Sequence, residues 1–460
     1  MKLEKLKGKN ILIMGLGKFG GGLDCAKFAS SIAQKVIVTD MADEKKLIDA
    51  VNELRGITNI EFRLGRHEET DFTDSDIIIA NPAVRPDNPF LEKARQNGVA
   101  ITSQIAIFMD NCAAEIIGIT GANGKSTTTK LTWHLLDFAS KNADVKFGKV
   151  WLGGNIGNMP LLTELGSVKP EDLVVLEISS FQAEQLAAEN LAPETAAITN
   201  LTPNHLDRHG TFEAYCQAKE SLFSYQNIDG GKPAVSIFNG EDEITSGWFE
   251  KYNSENNRQC IKFHAGDVPE NVKKGFPLPG EANLSNLAAA MAISKTYGVE
   301  TETIAQAVKS FKGLPHRLEF VAQANGVKWY NDSISTTPPS TIVGLEAFEE
   351  PVILIAGGYD KKLPFDEMGI TAARKAKAAI LIGVTADKIA EAIKNGNGKC
   401  DIYKEDTFIG AINKANELSE NGDVVLMSPA CASYDMFDNF QQRGDIFRDT
   451  VQNICREDTR

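Results

Sequence analysis

The stretch Ile117-Gly118-Ile119-Thr120-Gly121-Ala122-Asn123-Gly124-Lys125-Ser126-Thr127-Thr128-Thr129 reads as a buried strand that passes through a glycine-rich turn into a helix. Gly121 and Gly124 let the backbone bend tightly, so that successive N–H groups point at phosphate oxygens. The helix that follows adds its positive end. Lys125 can then reach the β- and γ-phosphates, and Ser126 can ligate Mg²⁺. Gly121, Asn123, Gly124, Lys125, Ser126 and Thr127 are therefore the expected nucleotide contacts, with ATP as ligand. The common pattern has a glycine where this chain has Ile119, so the loop is a short variant, Thr-Gly-x-Asn-Gly-Lys-Ser-Thr. A plain turn that happens to contain Gly-Lys-Ser is the alternative.

Outward from this loop, apolar runs of strand length alternate with helical patterns, which predicts an α/β fold with mostly parallel sheets. Ile11–Met14, Val36–Thr39 and Ile77–Ala80 form a first set, closed off around Asn111. Ile116–Ile119, Leu173–Glu177, Ala196–Thr199 and Val235–Phe238 form a second. Past Gly313-Leu314-Pro315, the clearest strands are Val352–Ala356, Ala379–Gly383 and Val424–Ser428. Ser254–Arg258 and Asn395–Lys399 read as exposed polar loops. Three domains are expected, over residues 1–110, 111–312 and 313–460.

The 460 residues carry a formal net charge of −14. That argues against a broad nucleic-acid footprint, which needs clustered cations. Seven scattered cysteines without a C-x-x-C pair fit a reducing cytoplasm. No apolar run approaches the ~20 residues needed to span a bilayer, and no export signal is read.

Gly15-Leu16-Gly17-Lys18-Phe19-Gly20 follows a strand, and Asp40 ends the next one. This spacing matches a dinucleotide-binding fingerprint with an acidic group for a ribose hydroxyl. Taken alone it also allows a different nucleotide, or merely a tight strand–helix turn. Asn81-Pro82-Ala83 marks where a switch-point crevice would receive ligand. Glu177 ends an apolar strand, where a hard oxygen suits Mg²⁺ near the phosphates; a solvated glutamate is the alternative. His205 and Asp207 lie in the polar cluster 200–209, just after a strand. Lys219 sits on a helix outlined by Phe212, Tyr215, Leu222 and Phe223, and spacing alone reads it as a surface lysine.

These residues together resemble the Mur ligases of peptidoglycan precursor synthesis, from the Gly15 loop to Arg443-Gly444. Glu177-Ile178-Ser179-Ser180-Phe181-Gln182 and Ser428-Pro429-Ala430-Cys431-Ala432-Ser433-Tyr434-Asp435-Met436-Phe437 are similar to the members that add D-glutamate to UDP-N-acetylmuramoyl-L-alanine. The resemblance implies a Rossmann-like N-terminal domain, a central P-loop ATPase domain and a Rossmann-like C-terminal domain. It implies activation of the L-alanyl carboxylate as an acyl phosphate, followed by attack of the D-glutamate amine. Two Mg²⁺ ions are then expected, one held by Ser126 and Glu177, the other by His205 and a carbamylated Lys219. Lys125, His205 and Lys219 are the implied catalytic residues.

By the same resemblance Asn283 and Asn286 lie near adenine, with Ala282 where relatives often have histidine, and Arg317 meets the ATP phosphates or ribose. Asp332 belongs to the same nucleotide set. In Asn331-Asp332-Ser333-Ile334-Ser335-Thr336-Thr337 the usual lysine is replaced by Ile334, which rules out a phosphate contact from that position. Lys361 or Lys362 is the cation left to supply it. Lys361 and Thr336 are implied to take the α-carboxylate of D-glutamate, and Ser433 and the backbone near Phe440 its side-chain carboxylate. Gly15, Leu16 and Asp40 would hold the uridine nucleotide, and Asn155 and Gln182 the sugar or peptide. A cytoplasmic, monomeric enzyme is expected; because an acyl phosphate hydrolyses readily, the third domain is expected to close over the second and exclude water, with hinges near Cys112 and Leu314.

Other readings remain open at this level. They are a related ligase with another amino acid as acceptor, an NAD-dependent oxidoreductase using the Gly15 fingerprint, and a nucleotide-binding regulator without turnover.

Overall fold

The computed structural model describes residues 1–17, 20–156 and 160–457; Lys18 and Phe19 of the N-terminal fingerprint lie outside them. The chain forms two compact units, one of residues 1–267 with 286–307, the other of 268–285 with 308–460. Cys112 lies inside the first unit and Leu314 just inside the second.

The first unit holds two sheets. Strands β1 (Asn10–Met14), β2 (Lys35–Asp40), β3 (Ile60–Leu64), β4 (Ile77–Ala80) and β5 (Ala100–Thr102) pair in the order β3-β2-β1-β4-β5. All the pairings are parallel. Strands β6 (Glu115–Thr120), β7 (Val150–Gly154), β8 (Leu173–Glu177), β9 (Thr195–Ile198), β10 (Ala234–Asn239) and β11 (Arg258–Phe263) form the second, in the order β11-β10-β9-β6-β8-β7. It too is parallel throughout.

Strand side chains alternate between two covered faces, which is why the sequence shows continuous apolar runs rather than alternation. In β1, Ile11 and Ile13 join the core shared with the second sheet, while Leu12 and Met14 join Phe72, Ile78 and Leu91 on the opposite face.

The second unit carries the third sheet, β12 (Glu319–Ala324), β13 (Val327–Asn331), β14 (Val352–Gly357), β15 (Ala376–Ile382), β16 (Asp401–Lys404) and β17 (Val424–Met427). Its order is β12-β13-β17-β14-β15-β16, parallel except for the β12–β13 hairpin. Asn325 (φ 51°) and Gly326 (φ 79°) make the turn of that hairpin, and Asn-Gly between extended segments is a sequence signal for such a turn. In β14, Leu354 and Ala356 pack on one face and Ile353 and Ile355 on the other.

Two expectations from the sequence are corrected here. Arg258 opens β11 instead of closing an exposed loop: its side chain is nearly fully covered, and its guanidinium donates to Gln226 Oε1 (2.6 Å), Ser236 Oγ (2.8 Å), Glu255 Oε2 (2.9 Å) and Phe223 O (3.1 Å). Lys219, read from spacing as a surface residue, is buried at 1% exposure. The helix Phe212–Ser224 turns it inward along with Tyr215, Leu222 and Phe223.

Candidate active site

The phosphate loop leaves the C-terminal end of β6. Gly121 (φ 143°) and Gly124 (φ 78°) take backbone conformations that side chains disfavour. A Cβ at Gly121 would sit 1.9 Å from Thr199 Oγ1, and one at Gly124 2.2 Å from Asn286 Oδ1. The loop is thus pressed against the neighbouring strand end and the helix Glu281–Thr296. Asn200 fixes it further, accepting from Asn123 N (2.9 Å) and donating to Asn123 O (3.2 Å). Lys125 and Ser126 open the helix Lys125–Asn142. The Lys125 ammonium donates back to Gly121 O (3.0 Å) and Ala122 O (2.9 Å), which holds its charge over the cradle. Asn286 accepts from Thr128 Oγ1 (3.1 Å), so it braces the loop helix from the side.

Parallel register sets Glu177 of β8 beside Ile119 of β6. The glutamate is 2% exposed. Its Oε1 accepts from Asn155 Nδ2 (2.9 Å), while Oε2 is buried with no hydrogen-bond partner. A buried carboxylate oxygen without a donor is costly unless a cation or ligand completes it. Glu177 therefore fits a hard cation such as Mg²⁺, and Ser126 lies in the first turn of the helix that follows the loop.

Lys219 donates to Thr120 Oγ1 (3.2 Å) and lies 4.8 Å from the Tyr215 ring centroid. Among the described residues no carboxylate reaches it within salt-bridge distance. Burial, reinforced by the charge of Lys125 and opposed by Glu177, holds its ammonium well below the usual lysine range. Burial thus favours the neutral amine.

His205 caps the helix Leu206–His209 in a left-handed conformation, φ 52°. Its ring meets Phe181 edge-on at 5.1 Å. Partial burial, then repulsion from Lys125, lowers its pKa against the opposing pull of Asp207.

In the first sheet, Gly15 N donates to Thr39 O (2.8 Å) and Gly17 N to Asp40 Oδ2 (3.1 Å), so the glycine loop and the acidic strand end lie together. Leu16 is fully buried. Gln182 Oε1 accepts from Ser179 N (3.0 Å), completing a capping box at the start of the helix Ser180–Ala187.

In the second unit the structure brings Lys361 and Thr336 together, the Lys361 ammonium donating to Thr336 O and Oγ1 (3.2 Å each). Ser433 is buried, and Phe440 opens the helix Phe440–Glu457, its carbonyl accepting from Ser333 Oγ (2.8 Å). Ile334 donates its backbone N–H to His316 O (3.1 Å). Arg317 keeps a buried Nε without a hydrogen-bond partner. Asn283 donates to Pro279 O (2.7 Å) in this unit, whereas Asn286 belongs to the first. Asp332 is 3% exposed and accepts from Ser335 Oγ (2.6 Å), Ser428 Oγ (2.8 Å) and Leu318 N (3.1 Å).

Sequence reasoning assigned no role to Arg443. It is 1% exposed, and its guanidinium donates to Ser333 Oγ (3.0 Å), Ser333 O (2.9 Å) and Cys431 O (3.2 Å), lashing the 331–337 and 428–437 loops to one helix. Its place at the end of a recognisable motif was the only signal.

Family models match each of the three sheets. The Mur ligase MurD-like N-terminal domain covers residues 9–103, the Mur ligase middle domain 119–276, and the Mur ligase glutamate ligase domain 316–431. The UDP-N-acetylmuramoylalanine–D-glutamate ligase of Clostridium kluyveri is 37% identical over 474 residues, 98% of each chain. That of Clostridioides difficile is 36% identical over 471 residues, 98% of this chain and 99% of its own. Among solved structures, the UDP-N-acetylmuramate–alanine ligase of Thermotoga maritima superposes with a TM-score of 0.56 at 19% identity, over 97% of this chain and 99% of the other. MurF of Acinetobacter baumannii superposes with a TM-score of 0.56 at 15% identity, over 96% and 93%. The structural likeness is one of fold, while the sequence likeness spans 98% of this chain. The chain belongs to the Mur ligase family.

Proposed function

We propose that the chain joins D-glutamate to UDP-N-acetylmuramoyl-L-alanine at the expense of ATP, as the names of its full-length relatives describe for those proteins. The observation that carries the reading is the phosphate cradle at Gly121–Thr127 beside the unpartnered oxygen of Glu177.

A carboxylate acylates an amine poorly in water, so the alanyl carboxylate must first take the γ-phosphoryl group. Its oxygen bonds phosphorus as the bond to ADP breaks. The D-glutamate nitrogen then bonds the carbonyl carbon, phosphate departs, and the ammonium gives up a proton. Lys125 and the loop N–H groups, fixed in place by Asn200 and Asn286, would face the charge that spreads over the transferring phosphoryl oxygens. Mg²⁺, when bound, would supply charge neutralisation at the phosphates. Ser126 and Glu177 would hold one ion. His205 and Lys219 would hold a second, with Lys219 as a carbamate: an amine nitrogen can bond the carbon of CO₂, release a proton to solvent and so become an anionic oxygen ligand.

In the first sheet, the Gly15–Gly17 loop and Asp40 would bind the uridine nucleotide, and Asn155 would orient the sugar or peptide. Lys361 and Thr336 would hold the α-carboxylate of D-glutamate, with Ser433 and Phe440 at its other carboxylate. Asn283 and Arg317 would meet ATP. We place the domain boundaries near 110 and 312 and the reaction in the cytoplasm, with a monomer as the working unit; among the described residues no helix is long and apolar enough to cross a membrane.

The test is phosphate release from MgATP and UDP-N-acetylmuramoyl-L-alanine with D-glutamate, L-glutamate, L-alanine or a diamino acid as acceptor. Release confined to D-glutamate, with the matching mass gain in the nucleotide product, supports the reading. Release with a different acceptor overturns the substrate assignment but keeps the ligase.

A further inference from the structure

We infer that Asp24 is a positioning residue that sets the spacing between the nucleotide loop of the first sheet and the substrate segment of the central one. The inference rests on the substrate reading above.

Asp24 lies in the first turns of the helix Gly21–Ile32 and is 4% exposed. Its Oδ2 accepts from Gln104 Nε2 (2.6 Å), Leu162 N (2.8 Å) and Leu161 N (3.0 Å), and its Oδ1 from Thr163 Oγ1 (2.8 Å) and Thr163 N (3.0 Å). Three successive backbone N–H groups converge on one carboxylate, an anion-binding arrangement filled here by the protein's own side chain. The described residues place no Lys, Arg or His within salt-bridge distance of it, so these donors alone balance a buried charge. Five donors saturate its lone pairs.

Both partners lead directly to substrate-binding candidates. The helix of Asp24 begins at the end of the Gly15–Gly20 fingerprint, and its first turn is seated on that loop: a Cβ at Gly22 would lie 2.3 Å from Leu16 O and 2.5 Å from Gly15 O. Residues 161–163 follow Asn155, whose backbone N–H and side chain are both tied to Glu177 (2.8 and 2.9 Å). Leu161 itself packs on β7, where a Cβ at Gly153 would lie 2.4 Å from its Cδ2, so Asp24 ties the helix seated on the Gly15 loop to the sheet that carries Asn155 and the candidate Mg²⁺ ligand. Other ties between the two sheets lie elsewhere, as with Gln185 Nε2 on Ala80 O (3.0 Å) and Arg208 Nη2 on Val84 O (3.1 Å).

A substrate held at its uridine end is thereby presented at a fixed distance from the phosphate loop. Binding energy from the remote nucleotide then serves the reacting carboxylate only while that distance holds. An Asp24→Asn side chain keeps the volume but supplies one acceptor oxygen for five donors.

The experiment compares wild type, Asp24→Asn and Thr163→Val on two substrates, UDP-N-acetylmuramoyl-L-alanine and N-acetylmuramoyl-L-alanine 1-phosphate, which lacks the uridine end. For Asp24→Asn we expect kcat/KM to fall about 30-fold on the full substrate but about threefold or less on the truncated one, with the KM for ATP within about twofold. Thr163→Val, which removes one bond and keeps the backbone donors, should give a smaller loss of the same pattern. Equal losses on both substrates, or an unchanged full-substrate kcat/KM, overturn the inference; if Asp24→Asn does not fold, Thr163→Val decides by the same criterion. Amide exchange at Leu161–Thr163 is read alongside, and must accelerate in Asp24→Asn whatever the substrate proves to be. If wild type turns over neither compound, the substrate reading has failed, and unchanged exchange at these amides would then overturn the lock itself.

Discussion

Two buried carboxylates, Glu177 in the central sheet and Asp332 in the third, sit at the C-terminal ends of strands and do opposite things. Glu177 gives one oxygen to Asn155 and keeps the other without a partner. Asp332 has both oxygens engaged by Ser335, Ser428 and Leu318. Burial pushes the Asp332 carboxyl up to about 6 against the lowering effect of those donors. An acceptor left open marks where a ligand belongs, and a saturated one marks where the chain itself must be held. On the proposed function the open oxygen of Glu177 serves the reacting phosphates, whereas Asp332 pins the segment that enters the third sheet at Leu318.

The sharpest way to break this contrast is at the central sheet. Lys125→Ala and Glu177→Gln should each lower kcat by at least about a thousandfold with little change in thermal midpoint, measured by phosphate release and calorimetry. A Glu177→Gln enzyme with near-normal turnover would show that the open oxygen has no partner to find. Lys219→Ala should also lose activity, and a small added carboxylic acid should restore part of it; without any recovery the carbamate assignment fails while the ligase assignment stands.

At the third sheet the main effect should be on folding. Asp332→Ala leaves three donors without their acceptor and should cost about 2–3 kcal/mol of stability in urea unfolding. Lys361→Ala should raise the KM for D-glutamate about tenfold with kcat less affected, since it removes ground-state binding.

The smallest effect is one of pH. The folded state holds the Asp332 proton more tightly than the unfolded chain, whose aspartates titrate near ~3.9. Stability from this group is fully present below that value and is lost as pH rises through about 6. Wild type should therefore gain stability relative to Asp332→Asn as pH is lowered from about 7 to about 4. A difference that stays flat over that range would contradict the assigned burial.

Much of this was legible in the sequence because it is local. The phosphate loop announces itself through glycines at two required bends, and the central strands through runs buried on both faces. Short or half-covered strands such as β5 and β16 left too little apolar signal, and the Asn325-Gly326 hairpin was legible but passed over. Lys219 could not be placed by spacing, since its hydrogen-bond partner Thr120 lies 99 positions away in sequence. Asp24 was illegible for the same reason: its donors lie 80 to 139 positions away. Arg258 read as part of an exposed loop, and Arg443 carried no assigned role, until folding brought carbonyls and hydroxyls around them.

The central claim is that the chain activates a carboxylate by phosphoryl transfer before the amide bond forms. Its most direct test is to label both oxygens of the alanyl carboxylate with ¹⁸O and analyse the phosphate released during turnover with MgATP and D-glutamate. The account predicts one ¹⁸O in each phosphate and one retained in the amide carbonyl. Unlabelled phosphate beside a labelled product would contradict it.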